Sequence, residues 1–136
     1  MVSYRVLITG SRAWSGERQI EEAFDRVAAA NTEGFPVVLI HGGAAGADRM
    51  CADSAKARGW RIEQHLAKWD THDDECPFWH WELPICKMAG HRRNQEMVDS
   101  RADVCFAFIH ERSRGATTCA ARAKAANIPL FVWRTD

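Results

Sequence analysis

The stretch Val37-Val38-Leu39-Ile40-His41-Gly42-Gly43-Ala44-Ala45-Gly46-Ala47-Asp48 decides the fold. Its four consecutive apolar residues show no polar alternation, as a parallel strand buried on both faces requires. Glycines follow at once, and then Met50, Cys51 and Ala55 fall on one helical face. The segment therefore reads as strand, tight turn and helix. Glycine lets backbone amides approach a phosphate, and the helix beginning near Gly46 points its positive dipole end there. A tight strand-to-helix turn with no ligand uses the same glycines.

The same unit recurs on either side. Val6-Leu7-Ile8, Val104-Cys105-Phe106-Ala107-Phe108-Ile109 and Leu130-Phe131-Val132-Trp133 are further continuous apolar runs, whereas the more polar Arg61-Ile62-Glu63-Gln64-His65-Leu66 reads as an edge strand. Ile20, Phe24 and Val27 share a helical face, as do Cys119, Ala123 and Ala126. The order is β-α-β-α-β, an irregular insert, then α-β-α-β. That pattern predicts a single α/β domain, a Rossmann-like, doubly wound, mostly parallel five-stranded sheet with helices on both faces. The insert, about residues 67–89, is too long for an ordinary loop and carries Trp69, Trp79 and Trp81 beside His and Cys. Its expected place is over the ligand crevice, packed as an apolar lid.

Composition removes several classes. A chain of 136 residues and 15.3 kDa has room for one core, and 46% apolar with 26% charged residues is ordinary globular material. Eighteen Lys and Arg balance eighteen Asp and Glu, so the net charge is zero and the pI about 7.0. General binding to nucleic acid needs a basic excess and is not expected. No window suits a membrane span and the N-terminus does not read as a signal peptide, so a cytoplasmic protein with five free core thiols is the expectation.

Ligands of open α/β sheets sit beyond the carboxyl ends of the strands. The residues after each apolar run, and those opening each helix, are therefore the informative ones. They are Thr9-Gly10-Ser11-Arg12, the His41 to Asp48 segment, Ala89-Gly90-His91-Arg92-Arg93-Asn94, and Ser113-Arg114-Gly115-Ala116-Thr117-Thr118. The last two combine glycine, arginine and hydroxyl or amide donors at a helix start, which suits a phosphate or phosphoribose. Structural alternatives are Thr117 as an N-cap and Arg92 as a solvated charge. Arg12, Arg92, Arg93, Arg112 and Arg114 all fall at the predicted ligand edge.

In this order, Gly10-Ser11-Arg12 with Trp14, His41-Gly42-Gly43-Ala44 with Gly46-Ala47-Asp48, Ala89-Gly90 with Arg93-Asn94 and Met97, and Ser113-Arg114-Gly115 resemble the YspA branch of the YpsA-related SLOG proteins. The resemblance runs from the first strand to Ile128-Pro129. It implies a fold related to the Lonely Guy phosphoribohydrolases and to the DNA-processing protein A domain, and a role in binding nucleotides or nucleotide-derived small molecules without a required cofactor. By this resemblance Gly10, Ser11 and Arg12 line one side of the pocket, while Gly42, Gly43, Gly46 and Asp48 cradle phosphate or ribose. Arg93 and Asn94 clamp from the third junction, and Ser113, Arg114, Gly115 and Thr117 from the fourth. A homo-oligomer paired through Ala-rich helices is also implied.

Lonely Guy enzymes carry a Pro-Gly-Gly-x-Gly-Thr segment followed by a catalytic glutamate. Ser113 to Ala126 contains no acidic residue. Hydrolysis of an N-glycosidic bond needs a carboxylate, and Asp48 is the one acid at a matching junction. A ligand sensor is thus the leading reading, with an N-glycosidic hydrolase of nucleotides using Asp48 as the alternative. A DNA-associated or protein-interaction module is a third. Within the insert, Cys76, His80, Cys86 and His91, with His72 just upstream, carry the donor types of a structural zinc site, although no paired Cys-x-x-Cys is present.

Overall fold

The strands of the computed structural model are β1 (Tyr4–Gly10), β2 (Val37–His41), β3 (Arg61–Gln64), β4 (Val104–His110) and β5 (Leu130–Thr135). Its helices are α1 (Glu17–Ala30), α2 (Ala47–Ala57), α3 (Ala89–Asp99) and α4 (Arg114–Ala125). The structure describes residues 2–74, 76–86 and 88–135. All strands run parallel in the order β3-β2-β1-β4-β5, with Val6 opposite Leu39 on one side and Val104 on the other.

Successive side chains of a strand point to opposite faces, and here both faces are covered. Val6, Ile8, Leu39, Phe106 and Phe108 pack against Ile20, Phe24 and Val27 of α1 and Ala47, Cys51 and Ala55 of α2. The alternate residues Leu7, Val38, Ile40 and Cys105 meet Met97 and Val98 of α3 and Cys119 and Ala123 of α4. This is why the central runs are continuously apolar. Each fully buried Val, Leu, Ile or Phe contributes about 1.5–3 kcal/mol of transfer free energy, which makes this double-sided core the main support of the sheet.

After β3 the chain returns past β1 to begin β4, so the direction of winding reverses between β1 and β4. Loops from the two strands therefore diverge and open a crevice at their carboxyl ends. Of the two outer strands, only β5 departs from the expected burial. Arg61–Gln64 is an edge, as read, but β5 is the other edge, and Phe131 and Val132 remain exposed. An outer strand has one neighbour and only partial cover, so a continuous apolar run did not guarantee burial there. Ala126 likewise caps α4 at the surface rather than continuing its buried face.

The segment between β3 and α3 contains one short 3-10 helix, Phe78–Glu82. Its small cluster is Cys76, Cys86 and Ala89 with Ala67. The expected packing of Phe78, Trp79 and Trp81 is not found: Phe78 is 85% exposed and the two tryptophans about half exposed. Among the described residues, no helix is long and apolar enough to cross a membrane.

Candidate functional site

The four strand-to-helix junctions meet at one cleft of about 810 Å³. The β1–α1 loop contributes Gly10, Ser11 and Arg12, the β2–α2 loop Ala44 and Asp48, and α3 Gly90, His91, Arg93, Asn94 and Met97. The β4–α4 side supplies His110, Glu111, Arg112, Ser113, Arg114, Gly115, Ala116 and Thr118, and Trp69 reaches in from the insert.

Several predicted contact residues turn out to build the walls. Ser11 is buried, its hydroxyl accepts the His110 N–H at 2.8 Å, and its carbonyl accepts from Ala47 at 3.2 Å. One serine thus ties the ends of β1 and β4 to the start of α2. Gly10 packs so closely that an added Cβ would stand 2.3 Å from the Ala47 Cβ. At Gly46, with φ +76°, a Cβ would stand 2.2 Å from the Arg12 carbonyl oxygen, which backbone cannot yield. These glycines serve the turn, the alternative open from the sequence.

Asp48 is buried, and its Oδ2 accepts the Gly42 N–H at 3.1 Å and the Ala44 N–H at 3.2 Å. Burial pushes its pKa up to about 6, against the lowering influence of those two amides and of Arg93. His41 accepts the Gly43 N–H on Nδ1 at 3.0 Å, and burial, with nearby Lys56, Arg93 and His65, lowers its pKa. A neutral imidazole with its proton on Nε2 fits both facts. Arg93 donates from one terminal nitrogen to the Gly42 carbonyl at 2.6 Å and from Nε to Asn94 Oδ1 at 2.9 Å. A Cβ on Gly42 would collide with that guanidinium at 2.6 Å. The third junction therefore clamps the second loop as well as lining the cleft.

Gly42, Gly43, Gly46 and Thr117 do not line the cleft. Gly43 faces β3 instead, where a Cβ would meet Gln64 Nε2 at 2.4 Å. Thr117 is exposed in α4 after its N-cap residue Ser113, and Thr118 lines the cleft in its place. Residues four apart share a helical face, so Thr118 follows from Arg114 once the helix start is known.

The exposed side of the cleft is basic. Among the described residues, Arg12, Arg112 and Arg114 have neither a carboxylate partner nor a side-chain hydrogen bond. Helix α4 begins with Arg114 and Gly115, has no acid in its first turn, and Ser113 makes no side-chain cap. Gly115 has no atom within 4 Å of an added Cβ, so no packing demands a glycine there. Helix α3 repeats the pattern with Gly90, His91, Arg92 and Arg93 and no acid at its start.

Among the described residues two acids line this cleft, where one was expected. Glu111 joins Asp48 among the lining residues and lies just before the acid-free Ser113 to Ala126 segment. It adopts φ +56°, a left-handed conformation that non-glycine residues seldom take. Its N–H donates to the Thr135 carbonyl of β5 at 2.9 Å. The turn out of β4 is hard to foresee because nothing in the residue type signals it.

Arg92 leaves the ligand edge altogether. It donates to the Thr71 carbonyl at 2.6 Å, pairs with Asp73 at 3.3 Å and lies 3.3 Å from Cys86 Sγ. His91 also changes place: it lines the cleft, whereas the donor group of the insert is His72, Cys76, His80 and Cys86, all within 4.8 Å of one another. Successive residues of one helix face different sides, so His91 and Arg92 part company.

Comparison with known proteins shows the family and the fold. The gene 61 protein of Mycobacterium phage D29 is 37% identical over 133 residues, covering 93% of this chain and 94% of that protein. DNA processing protein A from Streptococcus pneumoniae shares the fold, with a TM-score of 0.65 at 18% identity over 96% of this chain. The chain spans 50% of that longer protein. The model of the YspA, cpYpsA-related SLOG family matches residues 4–72, from β1 through β3 into the insert. With half of its length in that match, the chain belongs to the YspA, cpYpsA-related SLOG family.

Proposed function

We propose that the cleft binds a nucleotide or nucleotide-derived small molecule with its phosphate at the start of α4, and that the protein senses or sequesters this ligand. One observation carries the reading: α4 opens with an arginine and a glycine and has no side-chain cap. A cation opposes the positive end of the helix dipole, and glycine weakens a helix by about 1 kcal/mol relative to alanine. A bound phosphate reverses the first penalty, accepts from the free N–H groups, and gives the bare Gly115 backbone a purpose. Arg12 and Arg112 add two uncommitted guanidiniums for the same anion. A volume of about 810 Å³ falls within the range for small-molecule sites. Trp69, 44% exposed, offers a ring for a base.

A second reading is favoured by Asp48 and Glu111 together. An N-glycosidic hydrolase needs a carboxylate near the anomeric carbon, and the pair gives one carboxyl poised to hold a proton and one at a strained turn. DNA processing, the activity in the name of the streptococcal neighbour, draws support from fold alone and is opposed by the zero net charge. A cytoplasmic setting is supported by five free buried cysteines. Pairing of copies is supported by the exposed Phe131 and Val132 edge of β5, since Ala116, Ala120 and Ala123 of α4 pack inward on their own sheet.

Native mass spectrometry with a panel of nucleoside monophosphates, cyclic dinucleotides and NAD-derived compounds tests these readings. Intact ligand retained by the protein supports the sensor. Release of free base supports the hydrolase, and binding of none of the panel overturns both.

A further inference from the structure

We propose that His72, Cys76, His80 and Cys86 hold one structural zinc ion, which folds the insert and seats Trp69 at the cleft. The four donors lie within 4.8 Å of one another, and Cys76, His80 and Cys86 are buried. The like-atom edges have the lengths of a tetrahedral site. The two sulfurs are 3.8 Å apart, and Nδ1 of His72 is 3.3 Å from Nδ1 of His80. Zinc bonds of about 2.3 Å to sulfur and about 2.0–2.1 Å to nitrogen span tetrahedral edges of about 3.8 and 3.3 Å.

The surroundings suit the same ion. Nε2 of His72 lies 3.0 Å from the Leu83 carbonyl, to which its N–H donates, leaving the Nδ1 lone pair for a metal. Two thiolates and two neutral imidazoles cancel the charge of Zn²⁺, the thiol protons leaving to solvent on binding. Arg92 places its guanidinium 3.3 Å from Cys86 Sγ and 3.7 Å from Cys76 Sγ, and Asp73 holds it there at 3.3 Å. A hydrogen-bond donor of this kind stabilises ligating sulfur.

The insert has little else to fold around. Its cluster is Cys76, Cys86 and Ala89 with Ala67, and its large aromatics at 78, 79 and 81 are exposed. The Cys86 N–H donates to the Trp69 carbonyl, and the Trp69 ring lies 3.2 Å from an added Cβ on Gly90 in the first turn of α3. An ion at Cys86 is thereby connected to the cleft mouth. The metal assignment stands on its donor geometry alone, and only its consequence for ligand binding rests on the reading of the cleft.

Full-length protein purified without chelator is analysed for metal, and the metal-stripped protein is titrated with Co²⁺. About one zinc per chain is expected in the parent and in His91→Ala, falling at least about tenfold in His72→Ala and Cys86→Ser. Cobalt should give tetrahedral ligand-field bands with thiolate charge transfer, a signature that needs no variant to fold. Absence of zinc together with absence of the cobalt spectrum overturns the site. So does full zinc content in Cys86→Ser.

Discussion

Asp48 shows how one side chain serves structure and chemistry at once. It holds the β2–α2 loop through Gly42 and Ala44, and its burial raises its pKa from 3.8 to about 6. A raised folded value means that its contribution to stability is fully present below about pH 4 and is lost as pH climbs through about 6. Asp48→Asn keeps an acceptor and removes that titration, so urea midpoints of the variant should fall less than those of the parent over this range. Asp48→Ala leaves two amides without their acceptor and should cost about 1–3 kcal/mol at any pH. The glycines divide by the same test. Gly46→Ala meets the Arg12 backbone at positive φ and should destabilise by about 2 kcal/mol or more, whereas Gly115→Ala meets nothing and should raise stability by up to about 1 kcal/mol. Thermal melts of the two variants should move in opposite directions. From sequence, all these glycines look alike, because a tight turn and an anion cradle demand the same residue. Only their neighbours separate the roles, which is also why Gly43 is a fold position rather than a clean probe of binding.

Elements were the most legible level. The central strands and helices α1, α2 and α4 follow from apolar runs and helical faces, since burial on both faces leaves little freedom in residue type, whereas α3 is placed by its Gly-Arg-Asn start. The insert and the edge strand β5 were not legible in the same way, because neither has a second face to bury. Helix α4 gives a prediction of its own. Arg114→Ala removes a cation from the positive end of the dipole, so without ligand it should raise stability by about 0.3–1 kcal/mol while weakening nucleotide binding. Calorimetry with and without ligand separates the two effects. The contact between β3 and α3 carries a pH dependence. Burial opposes charge on His65, but hydrogen bonds and attraction from Glu63 and Glu96, at 2.8 and 2.6 Å, outweigh it and raise its pKa. This stabilisation is complete below the ordinary histidine value of 6.5 and fades as pH rises through the higher folded one. His65→Gln should abolish that loss, measured as amide exchange in α3 across the neutral range.

At the scale of the whole molecule, zero net charge conceals a separation. Arg12, Arg93, Arg112 and Arg114 line the cleft against Asp48 and Glu111, whereas Glu21 and Asp25 of α1 pair with Arg58 elsewhere. Zero overall charge gives no support to a broad polyanion surface, whereas four arginines gather at the cleft, where the proposed ligand is one small anion. Backbone amide NMR during titration with a nucleoside monophosphate tests this most directly. Shifts at Arg114, Gly115 and Ala116 together with Gly10 to Arg12, absent when the bare nucleoside is added, are the predicted result. No saturable shift at the start of α4 with any phosphate-bearing member of the panel would contradict it.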